Sequence, residues 1–330
     1  MSRPEPTLGA PGPAGTQAGP AITEPGPPPP RLPGSGRAPR RERALGAVPL
    51  WWALPGVALV VAFIYLAFGA GAWYSFTDWN GTGPANWVGL ANFRHILTNP
   101  TARGALWHTL ELTVTFVLAA NLIGLGFALG LHRTVRSRNV LRVLFFAPVV
   151  LSALAVSYVW QFIFSYNGPL NHLLAAVGLR SWQRDWLGDP HWALWTIFVV
   201  LVWGFTGLAM TLYLAGLQGI SEEIDEAAAV DGASTWFRLR RLTLPLLAPS
   251  LTVSITLTTI VGLRVFDQVI GLTGGGPAYA TETLATQVYE QGFTNGRAGY
   301  GAAFGVLLTV LVAIISVTQV LVLRRREARL

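Results

Sequence analysis

Ile220-Ser221-Glu222-Glu223-Ile224-Asp225-Glu226-Ala227-Ala228-Ala229-Val230-Asp231-Gly232, continued by Ala233-Ser234-Thr235-Trp236-Phe237-Arg238-Leu239-Arg240-Arg241-Leu242-Thr243-Leu244-Pro245, is a charged stretch between two long apolar runs, near 191–217 and 246–270. Ser221 is a good helix N-cap, and Glu222, Glu223, Asp225 and Glu226 fall in the first turns, where the helix dipole favours negative charge. Gly232 suits the left-handed residue that ends a helix. Ser234 can cap a second short helix that carries Arg238, Arg240 and Arg241 towards its C-terminus, and Pro245 and Pro249 are expected to break the segment. Ile220, Ile224, Ala227 and Ala228 recur at helical spacing and give the first helix an apolar stripe beside its acids. The stretch therefore reads as two short amphipathic helices joined by a glycine turn. Such an object is either a docking knob or a solvated loop, and its residues alone do not choose between them.

Outward from this segment the chain is strongly apolar. Of 330 residues 52% are hydrophobic and 12% charged, and the mean hydropathy is +0.46, which excludes an ordinary water-soluble enzyme. A membrane-crossing helix needs about 20 mostly apolar residues. Six runs qualify, about 50–76, 104–131, 139–165, 191–217, 246–270 and 300–323. The expected fold class is an all-α polytopic membrane protein of six transmembrane helices, with 49–330 as the membrane domain and 218–245 as its long charged loop. Thirteen of the 22 prolines lie at or before Pro49 among Gly, Ala and Ser, so 1–48 reads as a disordered tail rather than a folded domain or a polyproline ligand.

All 23 basic residues are arginine. With the tail, the 132–142 connection, 218–245 and the C-terminus on one side, that side holds 17 of them, against Arg94, Arg103, Arg180, Arg184 and Arg297 on the other. By the positive-inside rule both termini and the 218–245 segment are expected to be cytoplasmic. The net charge of +7 thus reports membrane orientation and lipid contact, not a nucleic-acid partner. Ten tryptophans, among them Trp51, Trp107, Trp186 and Trp192, cluster near proposed span ends, as indole rings prefer.

Several chemistries lack their residues. With no lysine there is no P-loop, and with no cysteine there are no thiolate metal sites or cysteine nucleophiles. His95, His108, His132, His172 and His191 are scattered without metal-ligand spacing, so no metal and no cofactor are expected. An intramembrane enzyme has no H-E-x-x-H or G-x-S-x-G to work with, and a secondary transporter would need inverted repeats and ion sites that are not evident. Gly126-x-x-x-Gly130 and Gly301-x-x-x-Gly305 are read as helix-packing positions. Arg264 and Asp267, spaced i, i+3 on one face inside or at the outer end of the fifth run, either pair with each other near the outer interface or snorkel, or serve a translocation pathway. Thr252, Thr256 and Thr259 repeat on one face of that run and offer hydroxyls to a solute or to their own helix. Asn121 is either pore-lining or a tie between helices.

Glu226-Ala227-Ala228, Gly232 after three residues and Leu242-Thr243-Leu244-Pro245 after nine more resemble the EAA loop of ABC-importer permeases, with Leu242 where isoleucine is usual. Phe76-Thr77-Asp78-Trp79-Asn80, Val88-Gly89-Leu90-Ala91-Asn92-Phe93, Phe266-Asp267, Leu272-Thr273-Gly274-Gly275-Gly276-Pro277 and Thr281-Glu282-Thr283-Leu284 are similar to the first permease subunit of bacterial carbohydrate importers of the maltose and glycerol-3-phosphate type. The resemblance covers about 50–323. It implies a non-catalytic half-channel in the cell membrane, paired with a second homologous permease, two ATPase subunits and an external sugar-binding protein. Glu226, Ala227, Ala228, Gly232, Leu244 and Pro245 would then couple to the ATPase, with Asn121, Thr256, Thr259, Arg264 and Asp267 as candidates for the sugar pathway.

Overall fold

The computed structural model describes residues 50–132 and 137–327; the proline-rich tail lies outside them. The chain divides into two units, Met1–Gly56 and Val57–Leu330, and the second carries the architecture. Helix accounts for the regular structure among the described residues, with one isolated antiparallel bridge between Thr77 and Trp87.

Four continuous helices are long and apolar enough to cross a membrane: α1 (Trp51–Tyr74), then α3 (Pro100–His132) after the short α2 (Ala91–Thr98), and further on Ala193–Gln218 and Ala298–Glu327. They match the first, second, fourth and sixth apolar runs. Asn99 and Pro100 set the start of α3: the Asn99 Oδ1 accepts from the N–H groups of Thr101 at 2.9 Å and Ala102 at 3.2 Å, and proline fits the first helical position.

The third and fifth runs are interrupted. Run 139–165 folds as α4 (Arg138–Val150) and α5 (Ala153–Phe164), followed by α6 (Pro169–Ala176), and the axis turns by 100° between Val150 and Ala153. Pro148 lacks an N–H and crowds the preceding turn, and Leu151 and Ser152 are extended. After α7 (Ala193–Gln218) come α8 (Glu222–Val230) and α9 (Thr235–Leu246), then a 68° bend into α10 (Ala248–Leu263). The fifth run thus stops at Leu263 and resumes as α11 (Asp267–Leu272); α12 (Leu284–Tyr289) and α13 (Ala298–Glu327) complete the fold. Counting each bent pair as one span gives six.

Helices α3 and α7 form the most extensive pair. A Cβ placed on Gly124 of α3 would stand 2.8 Å from the Ala209 Cβ and 2.9 Å from the Met210 nitrogen of α7, so glycine is what lets the backbones approach. Gly126 and Gly130, the expected packing pair, have open space beside them, and the close approach belongs to their neighbour. Gly301 of the second pair does pack closely, its added Cβ falling 2.6 Å from Gly292 Cα. Around these contacts lie three apolar clusters, one including Phe116, Ile197 and Val269, a second with Met210, Tyr213, Leu217 and Leu247, and a third with Ile96, Leu284 and Phe304.

Candidate functional site

Helix α8 projects from the end of α7. Ser221 has the extended backbone of an N-cap, but its hydroxyl makes no capping bond; the start is held by Glu222, Glu223 and Asp225 against the dipole. Its end is a Schellman motif. The Ala233 N–H donates to the Ala228 carbonyl at 3.0 Å and the Gly232 N–H to the Ala229 carbonyl at 3.1 Å, with Gly232 at φ +79°. Ser234 then caps α9, its Oγ accepting from the Phe237 N–H at 3.3 Å.

Contrary to expectation, Pro245 does not end α9. Residues Leu239–Thr243 adopt the wider π-helical turn, which carries the chain past a proline that has no N–H to give, and the bend falls at Leu247. Leu244 and Pro245 are half-buried. Glu226, Ala227 and Ile224 are exposed and Ala228 half-exposed, while Ile220, first of the expected stripe, packs against the cluster of Tyr213 and Leu217. Val230 is 88% and Trp236 68% exposed. Apolar side chains of α8 and α9 thus stand uncovered beside the acids of α8, as at a protein contact surface. Asp225 and Arg238, which sequence reading had not paired, join the two helices: Arg238 Nη1 donates to Asp225 Oδ2 at 2.6 Å.

The pathway candidates separate into two groups. Asn121 sits among α3, α7 and α10. Its Oδ1 accepts from the Tyr213 hydroxyl at 2.5 Å and Ser254 Oγ at 2.7 Å, and its Nδ2 donates to Thr258 Oγ1 at 2.9 Å and the Val117 carbonyl at 2.8 Å. Every hydrogen-bonding site of this amide is taken within the chain. Thr259 is buried and donates to the Ile255 carbonyl of its own helix at 2.7 Å, and Thr252 bonds the Glu327 carboxylate at the far end of α13. Thr256 differs: its Oγ1 is buried with no partner among the described residues.

Arg264 and Asp267 form the second group. They do not share a helical face, because the helix breaks between them: Arg264 is the C-cap of α10 and Asp267 opens α11. Neither forms an ion pair among the described residues, so mutual pairing, one of the alternatives left open by the sequence, is absent, and both are exposed.

The glycine-rich stretch after α11 folds as a tight knot. Gly274 (φ +61°) and Gly275 (φ +89°) precede a cis Gly276–Pro277 bond. Thr281 Oγ1 donates to the Gly276 carbonyl at 2.7 Å, and Thr283 with Thr286 forms a capping box for α12. Glu282 is 5% exposed, accepting from Thr286 Oγ1 at 2.5 Å and Gln287 Nε2 at 3.1 Å. Burial pushes its carboxyl above the usual carboxylate range, which these two bonds only partly offset. The buried Asn171 of α6 ties down the segment that leads to α7, accepting from Trp186 Nε1 at 2.8 Å, with the Arg184 guanidinium 4.4 Å from the Trp192 ring centre. At the end of α1, Asn92 Nδ2 bonds the carbonyls of Ser75 and Thr77, both at 2.8 Å.

Comparison with known proteins gives consistent matches. Residues 120–328 match the family model described as the binding-protein-dependent transport system inner membrane component. The trehalose/maltose transport system permease protein MalF of Thermococcus litoralis is 35% identical over 293 residues, covering 87% of this chain and 96% of that protein. The multiple sugar-binding transport system permease protein MsmF of Streptococcus mutans is 34% identical over 270 residues, covering 82% and 92%. A crystal structure of a bacterial ABC transporter involved in the import of the acidic polysaccharide alginate shares the fold, with TM-score 0.74, 24% identity and coverage of 84% and 95%. The chain belongs to the binding-protein-dependent transport system inner membrane component family.

Proposed function

We propose that this chain is one membrane subunit of a bacterial ATP-driven carbohydrate importer and forms half of the translocation pathway. It would pair with a second homologous permease, receive sugar from an external binding protein and rest on two ATPase subunits that carry the nucleotide chemistry. The observation that carries the reading is the uncovered α8–α9 element, with the Glu226, Ala227, Ala228 and Gly232 spacing intact and its apolar side chains exposed. A groove on an ATPase would cover it. Glu226 supplies the polar contact, the two alanines the close fit, Gly232 the turn, and Leu244 with Pro245 the link into α10. ATP-driven closure of the ATPase pair then moves α8 and, through α9, the fifth span.

For the pathway, Arg264 and Asp267 at the break between α10 and α11 are exposed charges within an apolar run and are the candidates open to a solute, whereas the Thr256 hydroxyl is buried without a partner among the described residues and would reach a solute only if α10 moved. Asn121 and Thr259 spend their bonds inside the bundle. The sugar class follows from the relatives' names and the shared motifs. The arginine distribution supports a cytoplasmic position for both termini and for α8–α9.

Two measurements test this. Single cysteines at Asn80 and Arg180 in this cysteine-free chain should label from outside with an impermeant thiol reagent, whereas those at Ser137 and Ser234 should not; outside labelling of Ser234 would refute the orientation. In reconstituted membranes with all partners, Glu226→Lys should lose sugar-stimulated ATP hydrolysis and weaken co-purification of the ATPase. Full stimulation would refute the coupling role.

A further inference from the structure

Two rods joined at one end keep a fixed angle only if something ties them away from the joint. Helices α8 and α9 meet at Asp231–Ser234, where Gly232 at φ +79° has no atom within 4 Å of an added Cβ, so packing does not lock the turn. The tie is the ion pair. Asp225 lies one turn into α8 and Arg238 one turn into α9, and besides the 2.6 Å contact Arg238 Nη1 also approaches the Asp225 carbonyl at 3.4 Å. The Arg238 side chain is 21% exposed and the Asp225 side chain 61%. Arg238 lines a cleft of about 500 Å³ together with Leu129 and His132 of α3 and Leu217 of α7. Glu222 and Glu226 line the same cleft, yet the guanidinium bonds neither of them. Beyond Arg238, α9 runs unbroken to the bend at Leu247, which is fully buried against the cluster of Tyr213 and Leu217.

We propose that the Asp225–Arg238 pair is a strut that makes α8 and α9 move as one body, so that displacement of α8 reaches α10 instead of being absorbed at Gly232. This deepens the coupling role above and rests on it. A pair with one partner largely in water adds little to stability. Its effect belongs in the transmission of movement, and Arg238 is a positioning residue that touches neither nucleotide nor sugar.

The experiment uses the assembled transporter in lipid nanodiscs, with spin labels on cysteines at the exposed positions Ala229 and Arg240. The unsubstituted chain should give one narrow distance between the helices. Arg238→Gln and Asp225→Asn should broaden it and raise the ATP hydrolysed per sugar transported by roughly fivefold or more. The charge swap Asp225→Arg with Arg238→Asp should restore both readouts, and Arg238→Lys should restore them in part. An unchanged distance and coupling ratio in Arg238→Gln, or a swap as defective as the single variants, would overturn the strut. Run in parallel, Gly232→Val and Glu226→Lys separate the two ideas. If they abolish stimulation while Arg238→Gln leaves the distance and the coupling ratio unchanged, only the strut is refuted; if they too leave stimulation intact, the docking role itself fails.

Discussion

Around Asn121, four side chains from three helices share hydrogen bonds deep in the bundle, whereas at Glu226 and Ala227 the chain stands in the open with one ion pair across its two helices. The first region is over-determined: α3, α7 and α10 cannot shift without leaving a polar atom unpaired. The second is held by a glycine turn and a single tie. Stability and transmission are therefore assigned to different places, and a variant in one should leave the other's property largely intact.

The sharpest way to break that contrast is Gly232→Val. A β-branched residue cannot adopt φ +79° without strain, so α9 should be misdirected and sugar uptake lost, while the melting temperature of the bundle stays unchanged. A fall in melting temperature would show that α8–α9 contributes to the bundle. The converse variant is Asn121→Leu, which leaves the Tyr213 and Ser254 hydroxyls without their acceptor. It should cost about 2 kcal/mol, read as a lower melting temperature in detergent, since membrane hydrogen bonds are individually modest but two buried hydroxyls are left without an acceptor together.

A smaller effect separates two glycines on one helix. Gly124→Ala should cost about 1 kcal/mol by forcing α3 from α7, whereas Gly126→Ala, facing open space, should leave the isolated chain as stable or slightly more so. The smallest concerns Glu282. Its folded carboxyl holds its proton to higher pH than an unfolded one, so the native state binds more protons between the two pKa values and stability falls as pH rises through that window. Glu282→Gln should remove this component and flatten the melting temperature between acidic and neutral pH. An unchanged pH profile would show that another group carries it.

Much of this was legible locally. Six apolar runs long enough to cross a membrane, the two short helices, the left-handed Gly232 and the Ser234 cap depend on residues within a few positions of one another, and so does the EAA spacing that suggested the family. Other readings needed more than local pattern. Periodicity placed Arg264 and Asp267 on one face, but that inference assumes an unbroken helix. Run 139–165 is apolar throughout, and hydropathy carries no record of the 100° turn after Pro148.

The sequence by itself determined which segments are apolar enough to leave water and where α8 turns into α9 at Gly232 and Ser234, because transfer free energy and capping are properties of short stretches. Only the tertiary structure decided that Gly124 rather than Gly126 meets α7, that Asn121 is spent on Tyr213, Ser254 and Thr258, and that Asp225 finds Arg238. Each of these depends on the rotation of one helix about its axis relative to a partner many residues away. Side-chain packing and hydrogen-bond satisfaction across the whole bundle set that rotation, and no local pattern encodes it.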